Sequence, residues 1–201
     1  MCKTIEDSIF SGSLSYITGI ILLLTGQPKY IWAGSFVLTV GSIQWVDAAI
    51  WYFKKTMSTR NITLFGILPI LILEPIVSYV GYVYYSQKRI IQYEIVLAIF
   101  LTAMLYVWIS QCKETITDKD GYLKWCGFNY SNIMPNVIYM ILIFFPFIFY
   151  PDALLRNVIL GVGFILWLIN VNTDSFGSRW CHSFFVLDII ILGKLFLDYV
   201  K

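Results

Sequence analysis

The sequence predicts an all-α integral membrane protein, folded as a bundle of seven transmembrane helices. Hydrophobic residues make up 59% of the 201 residues and charged residues only 13%, with a mean hydropathy of +0.75. A soluble domain carries about 25% charged residues. The composition therefore excludes a soluble globular domain and a disordered chain. The net charge of +2 provides no field that would favour nucleic acid, so we expect the lipid bilayer as partner and no nucleic acid.

Seven segments are apolar over roughly the 20 residues that a helix needs to cross a bilayer. They are residues 9–26, 31–53, 62–85, 91–110, 133–150, 154–171 and 179–200. Little chain is left between them, so residues 1–201 are predicted to form one domain. The first segment is expected to be an uncleaved span rather than a signal peptide, because Lys3 is balanced by Glu6 and Asp7.

The connections between the segments contain turn and charge signals. Gln27-Pro28-Lys29 predicts a tight turn, since proline fixes φ and lacks an N–H group, and Pro151-Asp152 predicts another. Short basic loops are expected at 54–61 and 87–89. One connection, about 111–132, is long, too polar to span a bilayer and too short to be a domain.

Seven spans would put the termini on opposite sides, which we name face A (the side of the N-terminus) and face B. Lysine and arginine are more numerous on face A, which favours a cytoplasmic face A. Against this, all four cysteines and both glycosylation sequons, Asn61-Ile62-Thr63 and Asn129-Tyr130-Ser131, fall on or near face A. Disulfides Cys112–Cys126 and Cys2–Cys181 would suit an oxidising compartment. We expect an extracellular or luminal N-terminus.

Ionisable residues inside the apolar segments are the main functional signal. A charged group at mid-bilayer costs about 2.5–3.5 kcal/mol on insertion scales. Gln44, Asp47 and Trp51 follow the i, i+3, i+7 spacing of one helix face. Glu74 precedes Pro75, which is expected to kink its helix, and Asp188 is expected about ten residues into the last span.

Polar residues concentrate in the face-A half of the predicted bundle. The sequence therefore predicts a pocket that opens toward face A and is formed by Gln44, Asp47, Trp51, Glu74, Asp188 and His182. The alternative is that these groups only hydrogen-bond between helices. That alternative is favoured for Gln44 and for the asparagines Asn136 and Asn170, whereas a functional role is favoured for Asp47 and Glu74.

Several kinds of chemistry are excluded by the sequence. Lys194 could suggest a retinal Schiff base, but Asp188 precedes it by six residues rather than the four of microbial rhodopsins. Lys194 is expected either to extend its ammonium group toward face B or to pair with Asp198 at i+4. His182 is the only histidine, which excludes three-histidine zinc hydrolases and bis-histidine haem sites. We expect no catalytic residues, no metal, no cofactor and no enzymatic activity.

Three stretches resemble an uncharacterised family of small seven-helix membrane proteins of bacteria and large DNA viruses. They are Met1-Cys2 with Ser13-Leu14-Ser15 and Gly19, then Gln44, Asp47 and Trp51, then Gly177-Ser178-Arg179-Trp180-Cys181. The family has Phe-Ser where Lys3-Thr4 stands, and usually glutamate at the position of Asp47. The resemblance implies a cluster of Cys2, Trp180 and Cys181 at face A and suggests a viral source.

Three functions fit these observations. The first is a proton- or cation-conducting channel or small transporter, in which Asp47 and Glu74 exchange the ion and Gln44 orients Asp47. The second is a receptor or sensor that binds a small ligand in a face-A pocket. The third is a structural protein, for instance of a viral membrane, whose polar core only fixes helix packing.

Overall fold

A computed structural model of the chain describes residues 4–54, 58–127, 133–170, 173, 175, 177–179 and 184–200. It is 82% helical, which confirms the all-α prediction. The helices are α1 (Ile5–Leu24), α2 (Pro28–Phe53), α3 (Thr59–Ile62), α4 (Leu68–Ser86), α5 (Ile91–Gln111), α6 (Ile133–Phe144), α7 (Ala153–Asn170) and α8 (Phe185–Val200). A π-helical turn (Thr63–Ile67) joins α3 to α4, and a 3₁₀ turn (Pro146–Phe149) follows α6. Two short strands, β1 (Ile116–Thr117) and β2 (Leu123–Lys124), pair antiparallel.

Five helical segments are long and apolar enough to cross a membrane: Ile5–Leu24, Pro28–Phe53, Thr59–Ser86, Ile91–Gln111 and Ala153–Asn170. They indicate a membrane-embedded protein. The apolar segment Met134–Phe149 is shorter, and α8 has 16 residues. Helix α8 begins at Phe185, whereas the sequence predicted a last span that begins near residue 179. That the chain crosses the membrane seven times remains a prediction.

Helices α1 and α2 pack closely because small residues line their interface. Glycines allow this approach: a Cβ added at Gly12 would meet Gln44 and Trp45, and one at Gly41 would meet Ser15. Small residues let helix backbones come together where water provides no driving force. This contact fixes the face of α2 that carries Gln44 and Asp47 against α1.

Aromatic rings fill the face-B half of the core around α2. Trp32 stacks on Phe147 with ring centroids 5.1 Å apart, and Phe36 contacts both Phe147 and Phe184 edge-on. Gly81 of α4 leaves the space that the Trp32 ring occupies. The packing holds α2 at the centre, between α1 and α4.

The helical segment from Thr59 to Ser86 departs from α geometry near its start. Helix α4 continues through Pro75, whereas the irregular turn is the π-helical segment Thr63–Ile67. Such turns insert one extra residue per helical turn and often lie at functional sites. Here the π turn begins at Thr63, which contacts the long connection described below.

Two ends of the bundle can be recognised from contacts between connections. At face B, Lys29 lies 3.8 Å from both Asp152 and Asp198, and Lys194 lies 3.6 Å from Asp152. Lys194 also pairs with Asp198 at i+4, which confirms that expectation. The network joins the α1–α2 turn, the start of α7 and the end of α8.

Candidate functional site: buried carboxyls beneath a cap

Asp47 of α2 is completely buried and both of its carboxyl oxygens accept a hydrogen bond. The indole Nε1 of Trp125 donates to Oδ1 at 2.8 Å, and the Ser178 hydroxyl donates to Oδ2 at 3.0 Å. These donors come from residues 78 and 131 positions away in sequence. The contacts connect α2 to two segments that the sequence places outside the bilayer.

Trp125 belongs to the long connection between α5 and α6, whose residues 112–127 we call the cap. The cap contains the β1–β2 hairpin, and Trp125 follows β2 directly. Its side chain is only 1% exposed. Gly177 lies against the Trp125 ring, where a Cβ would clash. The polar connection therefore does not lie free on face A but inserts its tryptophan into the bundle.

The cap is attached to the start of α3 by threonine hydroxyls. Thr63 Oγ1 lies 2.6 Å from Thr115 Oγ1, and the Thr59 hydroxyl donates to the Thr115 carbonyl at 3.2 Å. Thr115 Oγ1 in turn accepts from the Cys126 backbone N–H at 3.1 Å. A disulfide joins Cys112 to Cys126, one of the two pairings expected from the sequence. These bonds set the position of Cys126, which is next to Trp125.

An ion pair attaches the hairpin to the segment before α8. Arg179 donates to Asp118 at 2.8 Å and to Asp120 at 2.7 Å, and its guanidinium lies 4.0 Å from the centre of the Tyr122 ring. Burial acts to raise the pKa of Asp118, but hydrogen bonds from Ser175, Arg179 and backbone N–H groups outweigh it and lower that pKa to about 2. Asp118 is therefore a carboxylate at neutral pH, and it holds Arg179 over the cap.

The other two residues of the predicted stripe lie near Asp47 without contacting its carboxyl group. Gln44 is buried, but Asp47 takes its described hydrogen bonds from Trp125 and Ser178, so the expectation that Gln44 orients Asp47 is not met. Trp51 is half-buried and lies under Lys54, whose Nζ is 3.9 Å from the ring centre.

Glu74 is completely buried in a separate environment between α4 and α6. The Tyr139 hydroxyl donates to its Oε2 at 2.6 Å, while Oε1 has no hydrogen-bond partner. Tyr139 also reaches the Leu71 carbonyl at 3.0 Å. Within the described residues Glu74 shares no hydrogen-bond partner with Asp47, so these two carboxyls of the predicted pocket have separate hydrogen-bond environments.

Asp188 lies in the first turn of α8, not ten residues into a helix, and is also completely buried. It accepts a hydrogen bond of 2.5 Å from the Ser15 hydroxyl of α1, and its Oδ1 has no partner. Ser15 itself lies against Gly41 of α2. Asp188 therefore lies where α1, α2 and α8 meet.

The predicted pocket is thus divided into three carboxyl sites, and the cap lies over one of them. In the part of the chain that the structure describes, no lysine or arginine forms an ion pair with Asp47, Glu74 or Asp188. No group of three His, Cys, Asp or Glu side chains could hold a metal ion among those residues. The structure does not describe the remaining predicted residues, which are His182 of the pocket and Cys2, Trp180 and Cys181 of the face-A cluster.

The partners of the three carboxyls were not identified from the sequence. Trp125 and Tyr139 look like ordinary aromatic residues of a loop and a span, and nothing in their spacing signals a contact with an acid. Ser178 stands in the motif Gly177-Ser178-Arg179-Trp180-Cys181, but the motif does not indicate that its hydroxyl contacts Asp47. Ionisable residues in apolar segments were conspicuous, whereas their donors required tertiary contacts.

The sequence matches no protein-family model, and neither a curated protein nor a solved structure shows significant similarity to it.

Proposed function

We propose that the chain is a seven-span membrane protein that takes up and transfers protons at Asp47, Glu74 and Asp188. The observation that carries the proposal is that three carboxyls, on three helices, are fully buried and have no cationic partner among the described residues. A buried carboxyl needs a proton, a cation or a ligand to neutralise it. The topology is supported by contacts at two ends: Lys29 and Asp152 meet at one end, and Thr59 and Arg179 meet the cap at the other.

Protons are a better cargo than metal cations for these sites. Calcium takes six to eight oxygen ligands and magnesium about six. Asp47 is instead surrounded by the donors Trp125 and Ser178, and Glu74 by the donor Tyr139. Hydroxyl and indole groups that donate to a carboxylate do not provide the oxygen shell of a dehydrated cation. Glu74 Oε1 and Asp188 Oδ1 have no hydrogen-bond partner, so each can take a proton without displacing a donor.

Trp125 has the role of a gate in this proposal. Its indole closes Asp47 off from face A, so proton entry from that side requires the cap to move or water to reach the Asp47–Ser178 contact. The disulfide and the Arg179–Asp118 pair restrain that movement. The disulfide also favours a face A in an oxidising compartment, which corresponds to an extracellular or luminal N-terminus.

The experiment is proton flux into liposomes that hold the purified full chain, followed with an enclosed pH-sensitive dye under a pH gradient with valinomycin and potassium. The variants are Asp47→Asn, Glu74→Gln and Asp188→Asn. We expect wild-type flux, and a loss of about a hundredfold in a variant that removes a proton-transfer group.

The matched control is Glu114→Gln, which removes an exposed carboxyl of the cap and is expected to keep wild-type flux. Absence of flux from well-folded wild-type protein would reject the proposal. Equal flux in wild type and all three buried-carboxyl variants would reject the assignment of these residues.

A structural role is the second candidate, and a specific observation favours it. Each buried carboxyl joins different elements: Asp47 joins α2 to the cap, Glu74 joins α4 to α6, and Asp188 joins α8 to α1. Asparagine and glutamine keep the size of these side chains. If the carboxyls serve packing alone, the three variants change the melting temperature and the wild-type protein carries no proton flux.

A further inference from the structure

A groove opens between α5 and α6 near face A, with a volume of about 300 Å³. Its α5 wall includes Ala103, Met104 and Trp108, and its α6 wall includes Asn136 and Tyr139. The lining is almost entirely apolar.

The two helices are held together below the groove, toward face B. There the Tyr93 hydroxyl of α5 donates to the Leu142 carbonyl of α6, and the Tyr93 ring stacks on Phe145 with centroids 5.7 Å apart. Phe100 and Tyr139 stack at 6.3 Å. These contacts close the groove at one end, so its shape is built into the fold.

Asn136 provides an isolated polar group in this apolar wall. Its side chain is only 4% exposed and lines the groove, and none of the hydrogen bonds between described residues involves its amide. The interpretation that it joins helices by a hydrogen bond therefore does not apply. Because Asn136 lines the groove, a ligand that occupies the groove can form a hydrogen bond with its amide, which the apolar walls around it do not provide.

The depth of Asn136 in the membrane indicates which chemical group of a ligand could form a hydrogen bond with its amide. It is the fourth residue of α6, so at 1.5 Å per residue it lies roughly 5 Å inside the face-A end of that helix. This is the boundary zone where headgroups meet hydrocarbon and where tryptophans such as Trp108 are enriched. The outer side of α5 exposes large apolar side chains, among them Ile99, Leu105 and Ile109, as expected of a helix that faces lipid.

We propose that this groove binds one acyl chain of a membrane glycerophospholipid, whose ester carbonyl oxygen accepts a hydrogen bond from the Asn136 amide. The ester carbonyl is the acceptor that a bilayer presents at this depth, and the apolar wall below Asn136 suits the methylene chain. The volume is at the lower end of the range for ligand pockets, about 300–1,000 Å³, and therefore fits the upper part of one acyl chain rather than a whole lipid.

The test uses the full chain in phosphatidylcholine vesicles that contain a trace of phosphatidylcholine with a diazirine in one acyl chain. After irradiation, mass spectrometry measures the fraction of chains labelled on peptides from residues 100–108 and 135–139. Ala103→Phe fills the groove, and Ala98→Phe is its control, because Ala98 is exposed on the same helix and does not line the groove.

We expect Ala103→Phe to lose most of this labelling and Ala98→Phe to keep it. Asn136→Leu keeps the branched shape of the side chain and lacks the amide, so labelling is expected to fall about fivefold, the worth of one net hydrogen bond. Equal labelling of wild type and Ala103→Phe would overturn the site. Because Ala103→Phe leaves the amide in place, it decides the question even where Asn136→Leu fails to fold.

A dialkyl ether lipid with the same diazirine tests the role of the carbonyl. We expect about fivefold weaker labelling of wild type by the ether lipid, and no difference between ester and ether lipids for Asn136→Leu. Equal labelling by both lipids in wild type would overturn the carbonyl contact. Labelling by a diazirine fatty acid that exceeds labelling by the phospholipid would overturn the assignment to a glycerophospholipid.

Discussion

The contact between Trp125 and Asp47 shows how one residue outside the predicted spans determines the environment of a residue within them. The indole N–H satisfies one oxygen of a fully buried carboxyl, and Ser178 satisfies the other. Removing a donor leaves a buried polar atom unpaired, which costs more than the net worth of the bond. The stability of the cap and the state of Asp47 are therefore coupled.

Trp125→Phe tests this coupling. It keeps an aromatic ring and removes the donor, and we expect a loss of about 1–3 kcal/mol in the free energy of unfolding, measured as a lower melting temperature in detergent. Trp45→Phe is the control, since Trp45 is 41% exposed on the same helix as Asp47. Equal melting temperatures for Trp125→Phe and wild type would show that the bond contributes nothing.

The carboxylate of Asp118 makes the stability of the cap depend on pH. Because the pKa of Asp118 is lowered to about 2 in the folded protein, its stabilising effect is complete above the unfolded value of about 3.9 and is lost as pH falls toward 2. We expect the free energy of unfolding of wild type to exceed that of Asp118→Asn by about 1–2 kcal/mol at neutral pH. The measurement is the melting temperature of both proteins between pH 7 and pH 2.

The difference between wild type and Asp118→Asn should be constant down to about pH 4 and then shrink. A gap between wild type and Asp118→Asn that stays constant through pH 2 would contradict the lowered pKa.

At the residue scale, the sequence identified the buried acids and missed their partners. Asp47, Glu74 and Asp188 stand out because ionisable residues are expensive in apolar segments. Which groups donate to them depends on which elements meet, and no local pattern encodes that. A pair within one helix can be predicted from its spacing, and the structure confirms the i, i+4 pair of Lys194 and Asp198.

The cap is the main feature at the scale of elements. The composition of residues 111–132 indicates only that this connection leaves the bilayer. The structure folds it into a hairpin, joins Cys112 to Cys126 and brings Trp125 into the bundle. The order of polar residues in this connection does not reveal that its hairpin turn is bound by Arg179 from a distant segment.

Replacing both cysteines tests how strongly the disulfide holds the cap. Cys112 and Cys126 are 14 residues apart, and closing a loop of that size contributes about 3 kcal/mol in the chain-entropy account. We expect Cys112→Ala with Cys126→Ala to melt at a lower temperature than wild type. A phosphine reductant should lower the melting temperature of wild type and leave the double variant unchanged. A reductant effect of equal size in both proteins would contradict this account.

The helices themselves were largely predictable, because a bilayer requires long apolar segments. Five of them meet that requirement in the structure. Two features were not predicted from the pattern: α8 begins at Phe185, and a π turn lies at Thr63–Ile67 before α4. Thr63 binds Thr115 of the cap, a contact that the sequence of the helix alone does not reveal.

At the scale of the whole molecule, the two ends of the bundle differ. The face-A end is covered by a disulfide-linked cap, and the face-B end is closed by the network of Lys29, Asp152, Lys194 and Asp198. The three carboxyls lie between these closures. In the proposed function, protons pass only when one end opens, which is the arrangement expected of a gated pathway rather than an open pore.

The most direct test of the central claim is to observe proton exchange on the carboxyls themselves. Infrared difference spectra of the reconstituted protein, recorded between neutral and mildly acidic pH, report the C=O stretch of protonated carboxyl groups. We predict a pH-dependent carboxyl band in wild type and in Glu114→Gln, with one component missing in Asp47→Asn. Identical difference spectra for wild type and Asp47→Asn would contradict the account, because Asp47 would then not exchange a proton.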